Sequence, residues 1–241
     1  MNQSEIQLKP LDQTVKVGIL VCPNLFMADV VGVHTVFGIS PNVEIHLVWK
    51  NLESFEAMPR WPMSATTTFD DCPDVDVLVV GATPPDVMAD QETIRFLQEK
   101  ASKASAVIGI CGGTLLLGAA GLLKGRHATT NFQMIGTLKD LGIQTVTGGD
   151  VVVDGKYYTA GPVSGSYDAG FRVLAALRGD EVAKLIELAL EYHPKPLFNV
   201  GTPELAGAEL TAMALAQLKD KDMVEVCHQT AVSAYAVNST N

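Results

Sequence analysis

The sequence predicts an α/β fold, a doubly wound and mostly parallel sheet with helices on both faces. Three observations predict it. Continuous aliphatic and β-branched runs recur along the chain, which is typical of strands buried on both faces of a sheet. Helical patterns lie between these runs, as they do in βαβ units. The fourth of these runs leads through a glycine-rich turn directly into an apolar helix.

Four aliphatic runs define the predicted parallel strands. They are residues 15–21 (VKVGILV), 43–49 (VEIHLVW), 75–80 (VDVLVV) and 106–110 (AVIGI). Helical patterns at residues 29–37 and 90–103 lie between them. The threonine-rich, alternating residues 63–69 predict a short edge or hairpin strand.

The second half of the chain predicts shorter elements and then a set of helices. Asp154-Gly155 predicts a tight hairpin within residues 151–158, and Asp180 is a candidate helix cap. The other predicted elements are a helix at 115–123, a strand at 127–130, a helix at 131–141, a strand at 144–147, helices at 165–177 and 181–192, and an amphipathic helix at 203–219.

Length and composition favour one globular domain. The chain has 241 residues, of which 47% are hydrophobic and 18% charged, so it can bury a sizeable core. We assign residues 1–14 to a loose N-terminal arm, 15–220 to a single domain and 221–241 to a C-terminal tail. The N-terminal residues do not resemble a signal peptide.

Charge and cysteine content narrow the classes of function. A net charge of −10 opposes binding to nucleic acids and anionic membrane surfaces, and no apolar run is long enough to span a bilayer. The four cysteines form no C-x-x-C pair and no cluster with histidine. We therefore expect reduced thiols in a cytoplasmic protein, with no metal site and no cofactor.

The most informative stretch is the turn around Cys111. A buried strand ends at Gly109-Ile110-Cys111-Gly112-Gly113, and a helix begins at once. This is the strand–turn–helix context of a nucleophile elbow, in which small neighbours permit a strained central residue. The side chain then lies at the carboxyl end of the sheet and at a helix N-terminus, which favours a thiolate. Cys111 is therefore the candidate nucleophile.

An ordinary buried cysteine in a glycine-rich turn is the alternative interpretation, because cysteine is among the most buried residue types. For Cys22, Cys72 and Cys227 we prefer that simpler interpretation.

The chain resembles the ThiJ/PfpI superfamily, a branch of the class I glutamine-amidotransferase-like fold, from about residue 17 to about residue 207. Its landmarks here include VGILVCPN, ADVVGVHTVFG, CGGTLLLGAAGLLKGRHATT and EYHPKPLFNVGTPE. The runs LLLGAAGLLKG and EYHPKPLFNVGTP are similar above all to the isonitrile-hydratase branch. The resemblance implies a flavodoxin-like sheet and a homodimer.

The resemblance also implies roles for individual residues. Cys111 falls on the nucleophile, and Asp29 on the acid that lies beside it and moves protons. For Asp29 alone, a helix cap would be the preferred interpretation. Backbone N–H groups of Gly112, Gly81 and Ala82 are expected to stabilise developing negative charge. Ser164 is expected to cap the following helix or to contact the substrate.

The sequence departs from the family pattern at three positions. Asn131 stands where many relatives have histidine, and an amide orients its neighbours but cannot titrate. His127 is four residues away on a predicted strand, too far to replace it. Gly112 stands where the hydratases have threonine, and Val80-Gly81-Ala82 replaces Pro-Gly-Gly.

These features favour hydration of an isonitrile to an N-substituted formamide, through a Cys111 thioimidate with Asp29 as acid and base. One acid and one thiol suffice, with no cofactor. Glutamine amidotransfer is disfavoured because the sequence has no His-x-Glu in the region where that reaction needs it. Protease and glyoxalase relatives commonly use the histidine that Asn131 replaces. The alternatives kept are a biosynthetic enzyme acting on another electrophilic carbon, and a redox-sensing or protective protein that uses Cys111 oxidation. A DNA-binding regulator is disfavoured by the acidic charge.

Overall fold

The computed structural model describes residues 6–217 and 221–239. Its strands are β1 Val15–Leu20, β2 Val43–Trp49, β3 Phe55–Ala57, β4 Trp61–Met63, β5 Thr67–Thr68, β6 Val77–Val80, β7 Ala106–Ile110, β8 His127–Ala128, β9 Gln144–Thr145, β10 Val152–Asp154 and β11 Tyr157–Ala160. Seven of them form the central sheet, in the order β10-β11-β7-β6-β1-β2-β5. β10 pairs antiparallel with β11, and the other neighbours in this sheet are parallel. The predicted fold class is confirmed.

The helices are α1 Ala28–Gly38, α2 Pro85–Ala89, α3 Gln91–Lys103, α4 Gly113–Ala119, α5 Thr137–Asp140, α6 Ser164–Arg178, α7 Asp180–Ala189, α8 Pro203–Gln217 and α9 Lys221–Asn238. Their contacts fall into two groups. One group joins α1, α6 and α7, and the other joins α2, α3, α4 and α9. The sheet is thereby covered by two helical layers, as a doubly wound fold requires.

The sheet places the candidate residues at one edge. Every residue of β6 and β7 is buried. Gly81 follows the end of β6 and Cys111 follows the end of β7, so the two lie side by side. The carboxyl ends of parallel strands are the usual site of ligand binding in such sheets.

The packing of α1 on α6 fixes the remaining part of that edge. A Cβ atom at Gly32 would lie 2.5 Å from the backbone nitrogen of Tyr167, so only glycine allows this close approach. The Ser166 hydroxyl accepts a hydrogen bond from Val33 N–H at 3.0 Å. These contacts hold the N-terminal turn of α1, and with it Asp29, against the start of α6.

Several predicted elements differ in extent from those observed. Within residues 131–141 the helix is limited to α5, because Asn131 directs a turn first. The hairpin loop is Gly155-Lys156, since Asp154 still pairs with Tyr157. Asp180 is the first residue of α7 and not its cap, since Gly179 occupies that position with a φ of +88°.

The two ends of the chain also differ from the prediction. Lys9, Pro10 and Gln13 of the arm accept hydrogen bonds from the Arg178 guanidinium, so this part is held against α6. The segment assigned to a tail contains α9, which buries Cys227 and Ala231 against the domain. Residues 1–5 of the arm, 218–219 of the predicted amphipathic helix, 220, and 240–241 lie outside the described residues.

Candidate active site

The turn at Cys111 is built around glycines, and Gly113 is the one that no other residue could replace. Cys111 itself has a φ of +55°, which is strained for a residue with a side chain. A Cβ at Gly113 would lie 2.0 Å from the carbonyl oxygen of Val80, and one at Gly109 would lie 2.8 Å from Leu117 Cδ1. The glycine pattern in the sequence therefore reflects the close contact between this turn and the end of β6.

Three neighbours fix the position of Cys111. Its N–H donates to the carbonyl of Ala160 at 3.0 Å, and its carbonyl accepts a 2.5 Å hydrogen bond from the Thr130 hydroxyl. The side-chain amide of Asn131 donates to the Cys111 sulfur at 3.3 Å. Thr130 was not singled out from the sequence, because only the folded chain brings it to Cys111.

The Asn131 amide has a defined orientation. Its oxygen accepts hydrogen bonds from the backbone N–H groups of Gln133 and Met134, both at 3.1 Å. The NH₂ group must then face the sulfur, because an amide has one acceptor side and one donor side. Asn131 thus provides a fixed hydrogen-bond donor where many relatives have histidine.

Asp29 is completely buried at the same edge of the sheet. One carboxylate oxygen accepts from Ala82 N–H and the other from Val163 N–H, each at 3.1 Å. Asp29 is the second residue of α1 and does not cap it, since Met27 occupies the cap position with no side-chain bond. Ala82 N–H was expected to bind an oxyanion, but in the structure it donates to Asp29.

Gly81 and Gly112 complete the immediate surroundings. A Cβ at Gly81 would lie 3.1 Å from Asp29 Cβ, so the absence of a side chain there lets the carboxylate lie against the loop after β6. The N–H of Gly112 donates toward the Cys111 thiol and favours its ionised form. At Gly112 a Cβ would lie 3.2 Å from that of Ala82, which is tight but not prohibitive.

The protonation state of Cys111 in the Asp29–Cys111 pair differs from the thiolate that the sequence predicted. Burial raises the pKa of Asp29 to about 6, against the hydrogen bonds from Val163, Ala82 and Cys111 that lower it. Burial, followed by the charge of Asp29, raises the pKa of Cys111 to about 12. Burial and the adjacent carboxylate thus outweigh the helix N-terminus. At neutral pH the stable arrangement is a protonated thiol beside an ionised carboxylate.

Val163 is a site residue that the sequence did not reveal by type. It has a φ of +57° and a ψ of −91°, which is a genuine outlier for a β-branched side chain. Its N–H donates to Asp29, so the strain coincides with a hydrogen bond to the candidate acid. Ser164 follows as the first residue of α6 and does not occupy the cap position.

A cavity of about 940 Å³ opens beside this pair. Asn131, which contacts the Cys111 sulfur, forms part of its wall, as do Pro162 and Ser164 on either side of Val163. The opposite wall is formed by residues between Tyr192 and Leu215. The cavity therefore reaches Asn131, which hydrogen-bonds Cys111, and the two chain neighbours of Val163, which hydrogen-bonds Asp29.

In the described part of the chain, neither a substitute base at His127 nor a metal site accompanies the Cys111–Asp29 pair. His127 hydrogen-bonds Asp154 at 3.2 Å, so its ring is engaged on the β8–β10 side. Residues 6–217 and 221–239 contain no group of three or more histidine, cysteine or acidic side chains able to hold a metal ion. Within the same ranges, no helix has the length and apolarity needed to cross a membrane.

Comparison with known proteins identifies relatives over most of the chain. The model of the DJ-1/PfpI family matches residues 15–176. An isonitrile hydratase from Pseudomonas putida is 37% identical over 194 residues, which cover 80% of this chain and 85% of that protein. The crystal structure of a ThiJ/PfpI family protein from Pseudomonas syringae superposes with a TM-score of 0.84 and 29% identity, covering 90% of each chain. Drosophila melanogaster DJ-1beta has the same fold, with a TM-score of 0.66 at 15% identity over 75% of this chain and all of that one.

Proposed function

The chain belongs to the DJ-1/PfpI family, and we propose that it hydrates an isonitrile to an N-substituted formamide, with Cys111 as the nucleophile of an elbow and Asp29 as its acid and base. The observation that supports this most directly is the Asp29–Cys111 pair, a buried carboxylate of raised pKa beside a protonated thiol. The 37% identical isonitrile hydratase supports a hydratase-like role.

In the first step, the pair supplies both groups that an isonitrile carbon must receive. Asp29 takes the thiol proton while the Cys111 sulfur forms a bond to the terminal carbon of R–N≡C. Asp29 then returns the proton to the same carbon. The product is a thioimidate, R–N=CH–S–Cys111, so the sum of the step is addition of S–H to one carbon atom.

In the second step, water replaces the sulfur. Asp29 accepts a proton from water as the oxygen attacks the thioimidate carbon, and it then passes that proton to the nitrogen. The carbon–sulfur bond of the resulting R–NH–CH(OH)–S–Cys111 breaks as the hydroxyl proton passes to the departing sulfur. The formamide R–NH–CHO leaves, and the thiol is regenerated.

The hydrogen-bond donors around the sulfur suit this sequence. The Asn131 amide and Gly112 N–H both face the Cys111 sulfur, where negative charge develops when the thiol loses its proton and again when the carbon–sulfur bond breaks. No histidine is needed, because Asp29 alone carries the proton between sulfur, carbon and water. Ala82 N–H contributes by holding Asp29.

The direct experiment is incubation with cyclohexyl isocyanide, with formamide followed by mass spectrometry. Cys111→Ala and Asp29→Asn should both lose turnover. Cys72→Ala is the matched control, since Cys72 is a buried thiol before β6, at the opposite edge of the sheet, and it should retain wild-type turnover. Full activity in Cys111→Ala would contradict the proposal.

Experiments on the same purified protein distinguish two other functions from isonitrile hydration. If no formamide forms but Cys111 is readily alkylated, the site acts on another electrophilic carbon, and Gly112 and Asn131 are the residues that set the difference. A redox-sensing role is less well supported, because oxidants react with the thiolate and the pKa of Cys111 is raised to about 12.

We also propose that the protein forms a homodimer in the cytoplasm and binds no nucleic acid. Leu197 and Phe198 are 86% and 77% exposed, and Leu210 and Met213 of α8 are also exposed without lining the cavity, which suits a surface that a second copy covers. The four free cysteines suit a reducing compartment. Light scattering after size exclusion should give twice the 25.7 kDa chain mass, and a monomer would contradict the pairing.

A further inference from the structure

We propose that the natural isonitrile carries an elongated, mainly apolar substituent with a hydrogen-bond donor at its far end, bound in the cavity beside Cys111. This inference rests on the proposed function and specifies its substrate. It concerns residues that the reaction itself does not use, namely those of the opposite wall and Asp168.

The size of the cavity sets the size of the substituent. Cyclohexyl isocyanide has eight non-hydrogen atoms, and at about 30 Å³ for each water-sized group it would occupy roughly 240 Å³. The cavity measures about 940 Å³, so such a substrate fills about a quarter of it. Pockets of this volume enclose ligands several times larger.

The position of the cavity makes it the place for a substituent. Asn131 contacts the Cys111 sulfur and forms the inner end of the wall, so an isonitrile carbon at the sulfur directs its nitrogen substituent past this residue. Pro162 and Ser164 flank Val163, whose N–H binds Asp29. A molecule that reacts with the pair must therefore extend along this wall.

The lining determines the chemistry of the substituent. Apolar side chains face the cavity from both walls: Phe132, Ile135, Pro162, Leu205 and Leu215. The charged lining residues Lys195 and Glu204 are exposed, as are most of these apolar side chains, so a bound substituent would cover apolar surface that is open to solvent. An apolar substituent would gain burial without leaving polar groups unpaired.

Asp168 provides the polar contact at the far end. It lies one helical turn beyond Ser164 on α6, about 6 Å farther along the helix axis. Its Oδ1 accepts a hydrogen bond from the Tyr192 hydroxyl at 2.8 Å, and the Tyr192 ring stacks on that of Tyr167. No basic side chain among the described residues pairs with Asp168, so its carboxylate can accept a donor from a ligand.

The test compares four isonitriles on the full-length protein: cyclohexyl isocyanide, a biphenylmethyl isonitrile, and the same biphenyl compound with a terminal aminomethyl group or with a terminal hydroxymethyl group. We expect kcat/KM to rise at least about tenfold from the first to the second, since each buried methylene-sized group contributes about 0.8 kcal/mol. A further rise of about tenfold is expected for the compounds with a donor. The aminomethyl compound carries a cationic donor and the hydroxymethyl compound a neutral one, so comparing them shows whether the charge of the donor affects kcat/KM.

Two variants localise the effect. Leu215→Trp fills part of the cavity and should lower kcat/KM for the biphenyl compounds at least tenfold more than it lowers the value for cyclohexyl isocyanide. Asp168→Asn retains an acceptor for Tyr192 but removes the charge, and should abolish the preference for the aminomethyl compound only.

The outcomes separate this inference from the proposed function. Turnover of cyclohexyl isocyanide with equal or lower kcat/KM for every larger isonitrile would overturn the inference and leave the reaction intact. Formamide from none of the compounds would overturn both. A Leu215→Trp variant that lowers kcat/KM equally for all compounds would also contradict the assigned cavity, provided that its thermal unfolding matches wild type.

Discussion

The Cys111–Asp29 pair and the opposite wall of the cavity, formed by residues between Tyr192 and Leu215, are held in place by different means. Cys111 and Asp29 each bond to the backbone of neighbouring elements, and the strands beneath them are completely buried. The opposite wall contains Pro194, Pro196 and exposed apolar side chains, and α8 is kinked at Gly207, with a φ of +76°.

This difference in how the two parts are held matches the two tasks proposed for them. The Cys111–Asp29 pair moves a proton, and the opposite wall encloses the substituent. Groups that move a proton need fixed distances, and the sheet edge supplies them through many short-range contacts. A wall that only encloses a substituent can be built from a segment with fewer contacts, whose sequence can change without moving the reacting pair. Variants in the two walls should therefore change different measured quantities.

The largest effect is expected from Gly113→Ala. The added Cβ would lie 2.0 Å from the Val80 carbonyl oxygen, and neither backbone can move away without separating β6 from β7. We expect a loss of more than about 3 kcal/mol in the free energy of unfolding, measured by urea titration. Gly136→Ala is the control, since no atom lies within 4 Å of its Cβ position. Similar stabilities for the two variants would contradict the packing of this turn.

The next effect concerns pH. Asp29 must be ionised to accept the thiol proton, and its pKa is raised to about 6, so kcat/KM should fall about tenfold per pH unit below that value. Above pH 6 the rate should stay level to pH 9, because the pKa of Cys111 is raised to about 12 and the thiol stays protonated. The measurement is formamide formation from cyclohexyl isocyanide, corrected for acid hydrolysis without protein. A rate that climbs steadily from pH 7 to 9 would indicate that a thiolate attacks directly.

A smaller effect is expected at Asn131. Asn131→Ala removes the donor to the sulfur and the acceptor for Gln133 and Met134, and should lower kcat by about 10- to 100-fold. Asn131→Asp keeps the acceptor but places a second carboxylate beside the sulfur, so it should raise the pKa of Cys111 further and be at least as damaging. Wild-type kcat in both variants would show that the 3.3 Å contact has no part in the reaction.

The sequence predicts the part of the site around Cys111 and Asp29 far better than it predicts the cavity wall formed by residues between Tyr192 and Leu215. Glycines around Cys111, the aliphatic runs and Asp29 mark the sheet edge, because close backbone contacts and burial restrict residue type strongly. The pKa of Cys111 could not be predicted, since burial and the Asp29 charge depend on distances that the chain order does not contain.

Thr130, Val163 and Asp168 were missed because Thr, Val and Asp at such positions have many ordinary roles. The helix α9 was assigned to a tail because its apolar pattern is weak, and contacts with α2 and α4 stabilise it.

The smallest effect is expected from Gly207→Ala in the opposite wall. The φ of +76° and ψ of 168° at this kink suit glycine almost alone, while no neighbouring atom lies near its Cβ position. The added methyl group should therefore cost about 1 kcal/mol of local strain and shift α8 relative to the central sheet without any clash. We expect KM for a biphenylmethyl isonitrile to rise about threefold, with kcat for cyclohexyl isocyanide unchanged, because the described residues that hydrogen-bond Cys111 and Asp29 lie outside this helix. Steady-state kinetics with both substrates measure this, and an equal loss of kcat for the two would show that the walls are coupled rather than independent.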